Sequence, residues 1–140
     1  MRVFLVVLLL LPLVAQAATP ELTVEKPWMR YLLPSIPAAG YMELQNPGAA
    51  DVVITGAASP ACGMLMLHKS ADTSGMAMMM DVQSITVPAH GSATLAPGGY
   101  HLMCMQPTMK LGDKVPVTLR LQDGSIVVAT LPVYGAQNAP

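Results

Sequence analysis

The sequence predicts an all-β fold, a sandwich or barrel of about nine short antiparallel strands, and three observations carry that prediction. After Ala17 no twelve-residue window holds a 3.6-residue apolar period. Short segments alternate apolar with polar residues instead, with turn residues recurring roughly every eight to twelve positions. Thirteen prolines and eleven glycines supply the breaks.

The chain opens with Met1-Arg2, an apolar run from Val3 to Val14, and Ala15-Gln16-Ala17, a small-x-small step. A positive start, an apolar middle and a cleavage site in that order predict a cleaved secretory signal peptide over residues 1–17. The run falls short of the roughly 20 residues that span a bilayer, and Pro12 interrupts it. No stable membrane insertion is therefore expected, and residues 18–140 remain as one domain with room for its own core.

Within Thr19–Lys26, Leu22 and Val24 alternate as in an edge strand, and Pro27 separates them from a second extended piece, Trp28 to Tyr31. Leu32–Ala39 holds two prolines, each of which pushes its predecessor out of the helical region, and reads as a loop. Gly40–Gln45 alternates as a strand that Asn46-Pro47-Gly48 ends. β-Branched residues mark Asp51–Ala58 as the next strand, and Met64–His68 follows the Ser59-Pro60 turn. Ser70–Gly75 reads as a polar loop. Met76–Asp81, Gln83–Val87, Ser92–Leu95 and Tyr100–Met105 are short extended pieces, with turns at Pro88–Gly91 and Pro97–Gly99. Val115–Leu121 and Ile126–Val133 form a hairpin about Asp123-Gly124, and residues 135–140 trail as a loose tail.

A net charge of −1 with 11% charged residues offers no basic patch, which makes nucleic acid and anionic membrane surfaces poor candidates as partners. Neither G-x-S-x-G nor H-E-x-x-H occurs, and no acidic pair stands beside a histidine, so an enzyme is not expected. Cys62 and Cys104 are the two cysteines. An even count in an exported chain suggests a bridge between them; free thiols near a metal are the alternative.

The chemistry concentrates between Met64 and Met109, which hold nine of the twelve methionines and all three histidines. With a strand period of two, Met64, Met66 and His68 share one face and Leu65 and Leu67 the other. In the same way His101, Met103 and Met105 stand opposite Leu102 and Cys104. Thioether sulfur is a soft, neutral donor that selects Cu(I) and ignores hard cations. Calcium and magnesium need oxygen cages, for which this stretch offers Asp72 and Asp81, and no C-x-x-C serves structural zinc. Imidazole accepts Cu(I) and Cu(II) alike. Copper held to be handed on is the consistent reading; the alternative is that each methionine merely fills a core gap. A blue-copper electron carrier is disfavoured, because no histidine follows Cys104. His90, in Pro-Ala-His-Gly, is assigned to the surface.

His68, ten residues, Met79, twenty-one residues, His101, one residue, Met103: this spacing resembles the motif of the PCu(A)C family of periplasmic copper chaperones. The similarity extends over about Val24 to Val133, including Asn46-Pro47-Gly48, Pro-Ala-His-Gly and Pro-Gly-Gly-Tyr-His-Leu-Met. It implies a cupredoxin-like Greek-key sandwich that binds one Cu(I) near its surface through His68, Met79, His101 and Met103. It further implies a periplasmic carrier for a copper-receiving protein, such as a cytochrome c oxidase subunit or another copper carrier. A periplasmic copper buffering or tolerance protein and a metal-free interaction module are the alternatives. Met76, Met78, Met79 and Met80 crowd the position of one ligand, parity within that run does not choose among them, and Met79 rests on the family spacing. Met105 and the cysteine pair are additions the motif does not explain.

Overall fold

The computed structural model describes residues 12–13, 21–73 and 76–140, so the expected signal peptide lies, but for Pro12 and Leu13, outside the described residues. Ten strands form: β1 (Thr23–Arg30), β2 (Ala38–Asn46), β3 (Val52–Ala58), β4 (Met64–Thr73), β5 (Met76–Asp81), β6 (Ile85–Val87), β7 (Gly91–Leu95), β8 (Tyr100–Met105), β9 (Lys114–Leu121) and β10 (Ile126–Tyr134). Among the described residues there is no helix.

The strands run side by side in the order β5-β4-β8-β7-β2-β1-β10-β9-β3-β6. This one sheet curls so that its two halves face each other over a shared core. The fold is all-β, as the strand pattern predicts, and cupredoxin-like, as the family resemblance implies, but three details differ. Pro27 does not divide the first strand. β1 runs through it, with Lys26 at φ 46° and a register shift between Glu25 and Trp28. Proline has no N–H to give a ladder, and at a bulge none is required. The expected loop at Ser70–Gly75 is strand as far as Thr73, because β5 folds back along it with Ala71 opposite Met78 and Lys69 opposite Met80. Nor is every neighbour antiparallel. β1 and β10 pair in parallel, Met29 with Val133 and Arg30 with Tyr134, and so do β7 and β8 through Leu95 and Tyr100. A parallel ladder needs a long connection, and β1 and β10, at opposite ends of the domain, have the whole domain between them; β7 and β8 meet only at the single Leu95–Tyr100 bridge, across the turn at Pro97–Gly99.

Aliphatic residues from both halves fill the interior, among them Leu44, Leu65, Leu67, Leu102, Leu119 and Leu131. Three methionines do act as core filler: Met29, Met42 and Met109 are all buried. Cys62 and Cys104 are joined in a disulfide, with Cys104 fully buried on the core face of β8. The bridge thus ties the segment before β4 to β8. Asn46 is one of the few buried polar residues. Its Nδ2 donates to the carbonyls of Ala50, Val87 and Pro88 at 2.8, 3.1 and 3.2 Å, and its Oδ1 accepts from the Gly48 amide at 3.0 Å. The turn after β2 is therefore fastened to the end of β6. Residues 135–140 carry no strand, and His90 is exposed in a turn.

Candidate metal centre

β4 and β8 pair antiparallel in a register that puts Met64 opposite Met105, Met66 opposite Met103 and His68 opposite His101. Directly opposed residues point to the same side of a sheet, and alternate residues share that side. All six therefore occupy one face, and Leu65, Leu67, Leu102 and Cys104 turn the other way into the core. The division into a leucine face and a His/Met face is the one the two-residue period predicts.

The register of β5 adds what period alone leaves open. Asp81 stands opposite His68 and Met79 opposite Ser70, whereas Met78 and Met80 stand opposite Ala71 and Lys69. Met79 and Asp81 therefore share the histidine face, and Met78 and Met80 take the reverse. Met80's neighbour Lys69 lies with its Nζ 5.1 Å from the Tyr100 ring centroid, on the side away from the histidines. Met79 is a diagonal neighbour of His68. Such pairs are about 7–8 Å apart at the backbone, within reach of long side chains.

His68 and His101 are both buried, with ring centroids 5.8 Å apart and planes inclined at 60°. His101 Nδ1 lies 3.1 Å from the Gly99 carbonyl oxygen. A carbonyl only accepts, so Nδ1 carries the proton and Nε2 keeps its lone pair. Burial pushes the His101 pKa below its ordinary value; the Gly99 carbonyl opposes that push and His68 adds to it. That shift favours the neutral, ligating form of the imidazole. His68 Nε2 lies 2.5 Å from Asp81 Oδ1, but without the alignment of a hydrogen bond, and neither nitrogen of His68 has a hydrogen-bond partner.

Among the described residues, the buried side-chain nitrogens and oxygens without a partner are His68 Nδ1, His68 Nε2 and His101 Nε2. An orphaned buried polar atom costs about 1–3 kcal/mol, and the whole of that cost falls on this pair. A buried imidazole nitrogen that keeps its lone pair, as His101 Nε2 does on the face that also bears Met66 and Met103, is a donor that a soft metal ion accepts. No cluster of three His, Cys, Asp or Glu that could hold a metal ion is found among the described residues.

An aromatic wall that the sequence reading missed closes the other side. Trp28, Arg30, Ala39 and Tyr41 share the outer face, since Trp28 stands opposite Tyr41, Arg30 opposite Ala39, and Ala39 opposite Met103. The Tyr41 ring is 4.7 Å from Trp28 and 6.4 Å from His101, and the Arg30 guanidinium carbon sits 5.2 and 5.6 Å from the Trp28 and Tyr41 centroids. Burial raises the Tyr41 pKa and Arg30 lowers it, with burial the stronger. Alternation of Trp28 with Arg30 and of Ala39 with Tyr41 was the available signal, but their closeness to His101 depends on strand pairing.

PCuAC domains are among the solved structures that share this architecture. The copper-bound PCuAC domain from PmoF2 superposes with a TM-score of 0.68 at 21% identity, covering 85% of this chain and 97% of that one. Apo-DR1885 from Deinococcus radiodurans superposes at 0.63 with 30% identity over 100% of this chain and 97% of its own, and its Cu(I) form at 0.61 over 88% and 83%. The class is thus an all-β domain of PCuAC type, in agreement with the resemblance drawn from the His/Met spacing. A family profile described as "Putative lipoprotein LpqE-like" matches residues 22–133. "Putative lipoprotein Lxx21020" of Leifsonia xyli subsp. xyli (strain CTCB07) is 33% identical over 127 residues, which cover 85% of this chain and 76% of the relative. The chain belongs to the LpqE-like family.

Proposed function

We propose that this protein is a periplasmic copper chaperone, which binds one Cu(I) through His68, Met79, His101 and Met103 and hands it to a receiving protein. One observation carries the reading: the orphaned buried nitrogens of the described structure all belong to His68 and His101, on the face that also bears Met79 and Met103. The Cu(I) form of DR1885, at 30% identity, supports it.

The ligand set suits a carrier rather than a catalyst. Two imidazoles and two thioethers are neutral donors, so the site holds Cu(I) without the charge of a thiolate cage. An acceptor offering anionic sulfur can take the ion by exchanging one ligand at a time. Met79, 62% exposed, is the ligand such a partner meets first. The two imidazoles also accommodate Cu(II). Delivery towards the dinuclear copper centre of cytochrome c oxidase, as the family resemblance implies, is the proposed destination. The leader-like start and the lipoprotein description of the family both support export. Both cysteines are joined to each other, so neither sulfur is free to carry an acyl chain.

Replacement of His101 and Met103 together by Ala is expected to abolish tight Cu(I) binding while the domain stays folded. Unchanged Cu(I) affinity in that folded double variant would sink the proposal. A wild-type protein whose thermal transition ignores Cu(I) under reducing conditions favours the metal-free interaction module instead.

A further inference from the structure

The proposed copper site uses two methionines of the outer face, and three more stand on that face unused. Met66 is directly opposite Met103, and Met64 directly opposite Met105. These are consecutive same-face rungs of one ladder, adjoining the rung formed by His68 and His101. Opposed side chains on such rungs are about 4.5–5.5 Å apart at Cβ, so four thioethers occupy two neighbouring rungs. Packing does not account for them. The leucines of the same strands fill the core, whereas Met64 is 58% exposed and Met66, Met103 and Met105 are half-buried. A sheet face turned to solvent ordinarily carries polar residues. A cleft of about 430 Å³ runs along the edge of β4 from Met64 to Leu67, facing Thr55, Gly56 and Arg120, and so borders this end of the ladder. Asp81 and Arg120 both line it, so their charges offset.

We propose that Met64, Met66 and Met105 form a second soft-metal site, an all-thioether position that takes Cu(I) beside the histidine site and serves as its entry and exit station. Three neutral sulfurs select a soft monovalent ion and reject zinc and the hard cations. Having no imidazole, the station holds the ion less tightly than the histidine site does. Met103 links the two positions, opposite Met66 on one side and two residues from His101 on the other. Cu(I) passes by ligand exchange, with Met64, Met66 and Met105 released as Met103, the two imidazoles and Met79 bind; its oxidation state is unchanged and no proton leaves the neutral donors. The station extends the copper reading and shares Met103 with it, but it stands on separate residues.

The test is a titration of the full chain with Ag(I), a redox-inert soft ion, read by native mass spectrometry and by the methyl resonances of ¹³C-methyl-labelled methionine. The wild-type chain is expected to bind two ions. The weaker should shift the methyl resonances of Met64, Met66 and Met105. The triple variant M64L/M66L/M105L, built from volume-conserving swaps, is expected to bind one ion and still shift Met103. Wild-type saturation at a single ion would overturn the station and leave the histidine site standing; so would a triple variant that still takes two. A chain that binds no Ag(I) would remove both sites together. Should the triple variant fail to fold, M64L alone, at an exposed position, should weaken the second ion at least about tenfold, and an unchanged second ion would refute the station.

Discussion

Three adjacent methionines on β5 give the sharpest test of the register. Met78, Met79 and Met80 are 51%, 62% and 47% exposed, so burial does not distinguish them. Only Met79 is turned to the histidine face, on the diagonal from His68, while Met78 and Met80 stand opposite Ala71 and Lys69 on the reverse. Replacing each in turn by Leu removes the sulfur and keeps most of the volume. At exposed positions such a change moves stability by no more than about 0.5 kcal/mol. Any difference among the three variants in copper affinity then reports ligation and not folding. Loss of one of four donors in Met79→Leu is expected to weaken Cu(I) binding at least tenfold, which is about 1.4 kcal/mol or more. Met78→Leu and Met80→Leu should stay within about twofold, or 0.4 kcal/mol. Competition against a chromophoric Cu(I) chelator at fixed pH reads these differences directly, with thermal melts of the apo proteins as the control. If Met78→Leu or Met80→Leu weakens binding as much as Met79→Leu, the β4–β5 register does not define the site.

Three further expectations follow from the same geometry. The folded pKa of His101 lies below its ordinary value, so between that lowered pKa and about 6.5 the unfolded chain binds more protons than the folded one. Apo stability should therefore rise with pH across that window and be lost as pH falls through the folded pKa; denaturant titrations of wild type and His101→Gln should lose this difference above the window, and parallel curves throughout would contradict it. Asn46→Ala leaves the carbonyls that Asn46 serves at the end of β6 without their donor, and urea unfolding should show a loss of about 2–3 kcal/mol; a loss under 0.5 kcal/mol would mean that water replaces the amide. Reduction of the Cys62–Cys104 bridge, which spans 42 residues, should cost up to about 4 kcal/mol on the chain-entropy model. Because Cys104 faces the core and not the ligands, Cu(I) affinity of the reduced but still folded protein should be unchanged, and a large loss would tie the disulfide to the site.

The strands and the faces of β4 and β8 were legible because both segments are regular, and a period of two sorts His68 and His101 from their leucines without tertiary information. The position of Met79 was not. Its face depends on where β5 pairs along β4, and polar residues from Ser70 onward disguised the continuation of that strand as a loop. Composition hinted at the disulfide, but its geometry needed the β4–β8 pairing. The Trp28–Tyr41 wall was hidden for the same reason. Those residues reach the site through the pairing of β1 with β2 and of β2 with β8, contacts between segments far apart in sequence. Asp81 was visible as a carboxylate, yet nothing in its neighbourhood announced that it stands opposite His68.

X-ray absorption at the copper edge, on protein loaded with one equivalent of Cu(I) under reducing conditions, tests the central claim most directly, because it counts sulfur against nitrogen around the ion. The His68, Met79, His101, Met103 site predicts sulfur and nitrogen in about equal number in the first coordination sphere. A sphere of nitrogen and oxygen with no sulfur would contradict it, and so would one of sulfur with no imidazole.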